Sequence, residues 1–439
     1  MTATPPLLDD LAARGLVGQS TDIGALRAAL SSGQVTSYCG FDPTAPSLHM
    51  GNLLQILTLR RIQLAGHRPL GIVGGATGLI GDPKNTGERQ LNPADTVAEW
   101  SDRLRGQLER FLDFSGSAAA IVVDNYEWTR ELATLDFLRD IGKHFSVNRM
   151  LDREAVRTRL ERGGISYTEF SYVLLQAMDY LELFRRYGCT VQSGGSDQWG
   201  NITAGVELIR RVEGAHVHAF ATPLITKADG TKFGKTESGT IWLDPALTSP
   251  YAFHQFLLNT ADDEVLALLR FFTFRSAEEI ADLADSLATR PARRDAQRAL
   301  ADEVTALVHG EGEAIRARAA ADALFGDGDL AAVDERTLHA ALTEVPHTQV
   351  EAGEDLPTVT DLFVATGLVP SRSAARRAVN EGGAYLNNVR IGDPDDRPDP
   401  AQLLHGRWLV LRRGKRTVAG AELPRQVNAA PRRPPTDGS

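Results

Sequence analysis

The sequence predicts an α/β protein: a doubly wound domain first, an all-helical segment after it, and a small basic module near the end. Three observations carry this. Short apolar runs alternate with helical patterns over the first half, such runs vanish after "TSPYAFHQFLLNT", and the sign of the charge reverses after about residue 356. At 439 residues, and with roughly 150 residues per domain, two or three domains are expected, each able to bury a core.

Taken in order, "QVTSYCGF" reads as a buried strand. "GNLLQILTLRRIQLAGH" reads as a helix with apolar positions 53, 54, 57 and 64 and a stop at Gly66, and "PLGIVGG" as a second strand. Strand, helix and strand with short joints form a βαβ unit, which favours a parallel sheet with a right-handed crossover. "AAIVVDN" and "CTVQSGG" continue the strands, "LDFLRDIGKHF" and "NITAGVELIRRV" the helices, so the doubly wound domain is placed at 1–225. "DEVLALLRFFTF", "AEEIADLADSLA" and "QRALADEVTALVHG" carry helical patterns only, which sets an all-helical domain at 226–330. "VPHTQVEAGEDLP" is polar, acidic and bounded by proline, and 331–355 is expected to be a linker. The basic module is placed at 356–420 and a proline-rich disordered tail at 421–439.

Composition narrows the function classes. Hydrophobic residues are 42% and charged residues 24% of the chain, with no apolar run approaching the roughly 18 residues of a membrane span, so no membrane partner is expected. "MTATPPLLDDLAARG" lacks the basic-then-apolar pattern of an export signal, which makes the cytoplasm the expected location. Cys39 and Cys189 are too few for a disulfide framework and lack zinc spacing; they are read as small packed residues, and no protein-bound metal is expected. The net charge of −10 argues against nucleic-acid binding by the whole surface. From Leu356 to Arg416, however, ten Lys or Arg stand against six Asp or Glu, which marks a candidate polyanion-binding module.

Two stretches carry chemistry. "DPTAPSLHMGN" sits where the first strand hands over to its helix. In an open α/β sheet that is where ligands bind, and the helix N-terminus there is expected to offer free N–H groups and partial positive charge. Gly51 would let a ligand approach the backbone, while His49 and Asn52 can donate to phosphate or ribose oxygens. A plain helix cap with a surface histidine is the alternative. "KADGTKFGKTESGT" sets two lysines three apart among glycines and threonines, a loop able to wrap a polyphosphate or else a solvated surface.

Together the two stretches match the signatures written HIGH and KMSKS, here His49-Met50-Gly51-Asn52 and Lys232-Phe233-Gly234-Lys235-Thr236. With "YCGFDPTAPSLHMGN", "GGATGLIGDP", "EFSYVLLQAMDY", "GGSDQWGNITAG" and "TKFGKTESGTIW" in order, the chain resembles the bacterial tyrosyl-tRNA synthetases, class I aminoacyl-tRNA synthetases with a Rossmann-like catalytic domain. The resemblance implies activation of L-tyrosine by ATP, carried with Mg²⁺, to tyrosyl-adenylate, then transfer to tRNA(Tyr), by a homodimer. His49, Lys232, Lys235 and Thr236 would stabilise charge on the leaving pyrophosphate. Asp42, Thr44, His49, Gly51, Asn52, Gly195, Asp197 and Lys235 would line the ATP site. Tyr38 and Asp179 would meet the substrate phenol, Asp82, Tyr172 and Gln176 its ammonium, and Gln198 would help to fix it. Tyr172, Gln176 and Asp179 recur at i, i+4 and i+7, one polar helix face.

The end of the chain, "LPTVTDLFVATGLVPSRSAARRAVNEGGAYLNNVRI", resembles a small α+β RNA-binding fold of a ribosomal small-subunit protein. That resemblance implies tRNA phosphate contacts at Arg372, Arg376 and Arg377, and the charge of the "RRGKR" run adds Arg412, Arg413, Lys415 and Arg416 as expected contacts. Two other readings stay open: another class I enzyme, such as a tryptophanyl synthetase or an adenylyl transferase, and an RNA-binding protein that kept the scaffold and lost catalysis. The Tyr38/Asp179 pair and the RNA module speak against the first. The presence of His49 and both loop lysines speaks against the second.

Overall fold

The computed structural model describes residues 6–83, 90–226, 230–236, 239–326, 328–351, 356–414 and 417–423, with backbone alone at 155 and 236. Lys415, Arg416 and the tail from 424 therefore lie outside the described residues. The chain divides into two compact units: 1–247 with 261–296, and 248–260 with 297–439.

The first unit is built on six strands: β1 (Gln19–Ser20), β2 (Thr36–Phe41), β3 (Arg68–Val73), β4 (Ile121–Asp124), β5 (Cys189–Gly195) and β6 (His218–Thr222), in the order β1-β6-β5-β2-β3-β4. β6, β5, β2, β3 and β4 run parallel, and only β1 is antiparallel, on the β6 edge. From β2 the chain winds outward to β3 and β4, then returns to β5 and winds the other way to β6. The direction reverses between β2 and β5, whose pairing sets Tyr38 beside Gln192. A crevice opens at such a reversal, beyond the carboxyl ends of the strands.

Four helices flank this point: α1 (Met50–Leu64), α2 (Ala94–Glu109), α3 (Tyr167–Tyr187) and α4 (Trp199–Glu213). α3 starts where the Ser166 side chain accepts from Glu169 N, and ends at Gly188, whose φ of 59° is one that glycine adopts freely. One of its faces packs Ala177, Met178, Tyr180 and Leu181 with Tyr38, Leu70, Ile72 and Val123 in a single apolar cluster, in which each Leu, Ile, Val or Met contributes about 1.5–3 kcal/mol on full burial. α1 is buried on more sides than the expected stripe, at Ile56, Leu59 and Ile62 as well, whereas Leu64 is exposed. The helix Val265–Phe272 of the same unit packs on α1, and the buried Arg61 donates to Thr273 O (2.6 Å). A short hairpin, β7 (Lys235–Thr236) and β8 (Gly239–Thr240), completes the unit. "LDFLRDIGKHF" is helical but not one regular helix: a wide turn at Phe137–Ile141 gives way to a tight one at Gly142–His144.

The second unit joins the helices Pro250–Leu258, Glu311–Phe325 and Glu335–Thr343 to a sheet of β9 (His347–Gln349), β10 (Ala384–Leu386), β11 (Val389–Arg390), β12 (Trp408–Arg413) and β13 (Thr417–Glu422), in the order β11-β10-β12-β13-β9. β12 alternates as a two-sided strand must. Leu409 and Leu411 pack with Leu362, Phe363 and Val379, while Trp408 and Val410 pack with Tyr251, Leu324, Leu338 and Leu342.

Two expectations are corrected by this packing. The stretch 331–355 is no plain linker: Leu338, Ala341 and Leu342 of Glu335–Thr343 are fully buried, and β9 pairs in parallel with β13. Its polar composition hid three apolar residues at helical spacing. The helices of 226–330 do not form one body either, since 261–296 belongs with the first unit and 248–260 and 297 onward with the second.

Candidate functional site

At the β2/β5 reversal the carboxyl ends of the strands bring together most of the residues expected there. Tyr38 on β2 is buried beside Tyr180, with ring centroids 5.0 Å apart, and its hydroxyl has no hydrogen-bond partner among the described residues. Burial holds its pKa well above the ordinary phenol value, with Tyr180, Cys189 and Asp179 adding to the effect. Asp179 on α3 is 4% exposed and accepts from Asn125 Nδ2 (2.9 Å) at one oxygen and Trp128 Nε1 (2.9 Å) at the other. Its pKa is pushed up to about 7: burial raises it most, the Asn125 and Trp128 bonds oppose, and Asp42 and Asp124 add repulsion. The Tyr38 hydroxyl, without a partner among the described residues, and the Asp179 carboxylate are thus buried polar groups close enough to interact, each with capacity for a further hydrogen bond.

Further along the crevice, Asp42 follows β2 directly. Its Oδ1 accepts from Thr77 Oγ1 (2.7 Å) and its Oδ2 from the buried Tyr172 hydroxyl (2.5 Å). The carboxylate fits because the neighbouring position is glycine: a Cβ on Gly74 would stand 2.0 Å from Asp42 Oδ1. Asp82 accepts from Gln198 Nε2 (2.8 Å) and Asn201 Nδ2 (3.1 Å), and Asn201 also donates to Gln198 Oε1 (3.0 Å). Tyr172 and Asp179 of the expected helix face are buried and Gln176 is half-buried, so that face is not solvated.

The helix start differs from its expectation. His49 caps α1 with a box in which Gly51 N donates to His49 Nδ1 (3.1 Å) and His49 N donates to Asn52 Oδ1 (3.1 Å). Met50 N donates to Ile241 O (3.2 Å) and Asn52 N to His49 O (2.9 Å). The first-turn N–H groups are thus already used, and what the helix start offers is its dipole and two side-chain donors, His49 Nε2–H and Asn52 Nδ2. With Nδ1 accepting, the proton of the neutral ring sits on Nε2. Burial, then Lys235 and Lys232, lowers the His49 pKa and keeps the ring neutral.

Opposite stands the lysine loop. Lys232 Nζ lies 3.4 Å from Asp197 Oδ2, both half-exposed, and Lys235 is exposed. The loop is held from beneath: Phe233 is buried with its ring centroid 5.9 Å from that of Phe272, and Phe233 N donates to Ile225 O (2.9 Å). Gly234 has φ 87°, and a Cβ there would lie 2.7 Å from Met50 Cβ. A glycine is therefore required where the loop crosses the start of α1, which accounts for the Phe-Gly form of the motif. Thr44 and Gly51 are exposed, Gly195 and Asn52 half-buried, and the Thr236 side chain lies outside the described residues.

In the second unit, Ser371 caps the helix Arg372–Asn380 and Arg372, Arg376 and Arg377 are exposed on it. Arg372 pairs with Asp361 (2.6 Å) and Arg376 with Asp395 (2.5 Å), exposed pairs of small net worth that a phosphate can displace. Arg377 and the exposed Arg413 line one hollow with Gly383, Gly414 and Thr417. Arg412 is different: it is 9% exposed, lies 4.5 Å over the Tyr385 ring and faces Gly326 O (3.5 Å), so it packs the unit and offers nothing to a phosphate. Strand alternation separates Arg412 from Arg413.

Sequence reasoning missed Thr77, Asn125, Trp128 and Asn201. Asn125 and Trp128 were within reach, since they follow the carboxyl end of β4, the position at which a parallel strand delivers ligands. Both cysteines are buried and free, with burial pushing Cys39 up to about 12 and Cys189 higher, so they are inert. Among the described residues no group of three or more metal-ligating side chains occurs, and no helix is long and apolar enough to cross a membrane.

Comparison with known proteins agrees with this geometry. Residues 30–326 match the family model of tRNA synthetases class I (W and Y), and 337–419 match a tyrosine–tRNA ligase SYY-like C-terminal domain. The chain is 60% identical over 419 residues to the tyrosine–tRNA ligase of Streptomyces coelicolor, covering 95% of this chain and 99% of that one. It is 58% identical over 418 residues to that of Mycobacterium tuberculosis, covering 95% and 98%. A truncated mitochondrial tyrosyl-tRNA synthetase from Aspergillus nidulans superposes with a TM-score of 0.66 at 31% identity, over 72% of this chain and 93% of that one. The two family models and relatives of about 60% identity over 95% of the chain identify it as a member of the tyrosine–tRNA ligase family, class I aminoacyl-tRNA synthetases.

Proposed function

We propose that this tyrosine–tRNA ligase divides its chemistry between a buried slot that selects tyrosine and an exposed cationic loop that drives its activation. The observation that carries this reading is the buried Tyr38 hydroxyl, which has no hydrogen-bond partner among the described residues, with Asp179 near enough to raise its pKa. L-Tyrosine enters with its phenol between Tyr38 and Asp179. Its ammonium meets Asp82, Tyr172 and Gln176, with Gln198 fixing the backbone end. ATP, carried with Mg²⁺ as substrate, lies along Asp42, Thr44, Gly51, Asn52 and Gly195, with Asp197 on the ribose hydroxyls.

The tyrosine carboxylate is already ionised and attacks the α-phosphorus in line, so no general base is needed. Catalysis is alignment together with stabilisation of charge on the departing pyrophosphate. His49 donates from Nε2, Lys232 and Lys235 supply positive charge, and Thr236 belongs to the same set. Lys232 leaves Asp197 to reach the phosphates, which frees Asp197 for the ribose. The tyrosyl group then passes to the terminal ribose of tRNA(Tyr), whose phosphates meet Arg372, Arg376, Arg377 and Arg413, with Lys415 and Arg416 alongside.

The enzyme acts in the cytoplasm as a homodimer. Tyr126, Leu135, Leu138, Val147, Leu151, Leu160 and Tyr167 are all exposed within one stretch of the first unit, and an apolar surface of this kind supports self-association there. Catalysis belongs to the first unit, and the residues after about 356 act on tRNA. The test is pyrophosphate exchange into ATP with each amino acid in turn: tyrosine alone supports strong exchange, and equal exchange with tryptophan overturns the reading.

A further inference from the structure

Thr77 carries no direct ligand role in this reading, yet it stands between the two ends of the crevice. It opens the short helix Thr77–Ile80 after β3 and is 2% exposed. Ala76 N donates to Asn125 Oδ1 (2.7 Å), which fixes the orientation of the amide, so that Nδ2 is the group facing Asp179 Oδ2 (2.9 Å) and Thr77 Oγ1 (3.1 Å). An amide nitrogen only donates. The Thr77 hydroxyl must therefore accept from Asn125, and its own proton goes to Asp42 Oδ1 (2.7 Å). Asp42 Oδ2 in turn receives the Tyr172 hydroxyl (2.5 Å), and Tyr172 and Asp179 sit seven residues apart on α3. The result is a closed ring, Asp179, Asn125, Thr77, Asp42, Tyr172 and back along α3, in which every donor direction is determined.

From this ring we infer that Thr77 is a positioning residue for Asp42 at the proposed nucleotide end, itself oriented by Asn125. Its hydroxyl holds one Asp42 oxygen in a fixed direction, so that the other lone pairs are aimed before ATP arrives. Asp179 does not depend on it, because Asn125 and Trp128 still serve both of its oxygens when Thr77 is changed. The ring thus separates two effects. Removing the Thr77 hydroxyl disturbs alignment at Asp42 and leaves recognition of the phenol in place.

This inference rests on the proposed roles of Asp42 and Asp179, and the experiment keeps the two apart. Thr77→Val replaces the hydroxyl by a methyl of like shape, Thr77→Ser retains it, and Asp42→Asn probes the site itself. Pre-steady-state adenylate formation is measured for each at varied tyrosine and ATP, with phenylalanine as competitor and thermal unfolding alongside. In Thr77→Val the rate constant for adenylate formation should fall about 10- to 100-fold, the loss expected for one hydrogen bond to a charged group. Tyrosine KM and the preference over phenylalanine should stay within about threefold, and Thr77→Ser should recover most of the rate, since it restores that same bond. An unchanged rate in Thr77→Val, a rise in tyrosine KM that matches the whole loss, or failure of Thr77→Ser to recover overturns the inference. Unchanged activity in Asp42→Asn instead overturns the assignment of the site.

Discussion

The buried cluster around Tyr38 and Asp179, proposed above as the tyrosine slot, and the lysine loop are built in opposite ways. In the slot, Tyr38, Asn125, Tyr172 and Asp179 are all at most 4% exposed, and the side-chain polar atoms of the last three are hydrogen-bonded, to one another, to Asp42, Thr77 and Trp128, or to the main chain. In the loop, Lys232 and Lys235 are exposed, and what is fixed lies underneath them: the Phe233 ring against Phe272, and Gly234 against Met50. The difference fits the work proposed for each part. Discrimination needs groups that are costly to leave unpaired, which requires burial and rigidity. Stabilising charge that appears only in the transition state needs cations that approach late, and so they are lightly held until then.

If this contrast is right, changes in the two parts separate in the kinetics. The largest effect belongs to Lys235→Ala: adenylate formation should slow by about 100- to 1000-fold, the usual loss for a donor aimed at transition-state charge, with tyrosine KM nearly unchanged. Stopped-flow measurement of the single turnover checks this, and a matching rise in tyrosine KM would place Lys235 in ground-state binding.

pH sharpens the contrast from the slot side. Asp179 has its pKa raised from 3.8 to about 7, chiefly by burial, and in the proposed role it accepts the substrate O–H as the carboxylate. Tyrosine kcat/KM should therefore fall as pH drops through about 7, approaching about tenfold per pH unit well below it, while weak exchange with phenylalanine shows no such limb. The stability contribution has the opposite sign. A raised carboxyl pKa favours the folded state below about 4 and loses that contribution as pH rises to about 7, so at Asp179 the enzyme gives up stability for function. A pH profile shared by both amino acids would assign the limb to another group.

Gly234→Ala puts a methyl group against the fully buried Met50 at φ 87°, and should slow adenylate formation roughly tenfold by lifting the loop, with a fall in Tm as well since Gly234 is itself buried. The smallest effects lie in the second unit. Arg377→Ala should weaken tRNA binding several-fold and reduce the salt slope by about one unit, with pyrophosphate exchange intact. Arg412→Ala should instead lower thermal stability and leave the salt slope alone, because Arg412 is packed over Tyr385. Point substitutions are the right tool here. Cutting the chain near 355 would remove Trp408, Val410 and Val418 from the cluster that also holds Leu338 and Leu342.

The strands of the first unit and its helices Met50–Leu64 and Trp199–Glu213 were legible because their apolar patterns are regular, and candidate site residues could be proposed because the motifs fall at strand ends; the helix Ala94–Glu109 was not read. Gln176 and Asp179 could be placed on one face of α3 from spacing alone. Other features depended on contacts that no local pattern encodes. That the first-turn N–H groups of α1 are occupied depends on Ile241 and on the His49 ring, and the demand for glycine at 234 depends on Met50, 184 positions earlier. The burial of Arg412 depends on strand register: one residue further along the chain, Arg413 faces solvent. The stretch 331–355 misled because an average polar composition conceals a helix that buries only one face.

The central claim is that a buried pair, Tyr38 and Asp179, waits for a phenolic oxygen. It is tested most directly by pyrophosphate exchange with tyrosine and phenylalanine in the native enzyme and in Tyr38→Phe, which removes one oxygen and no packing volume. Tyrosine kcat/KM should fall about tenfold, with that for phenylalanine unchanged or slightly raised, so the ratio narrows by the same factor. An equal fall for both amino acids, or no change for either, would contradict the claim.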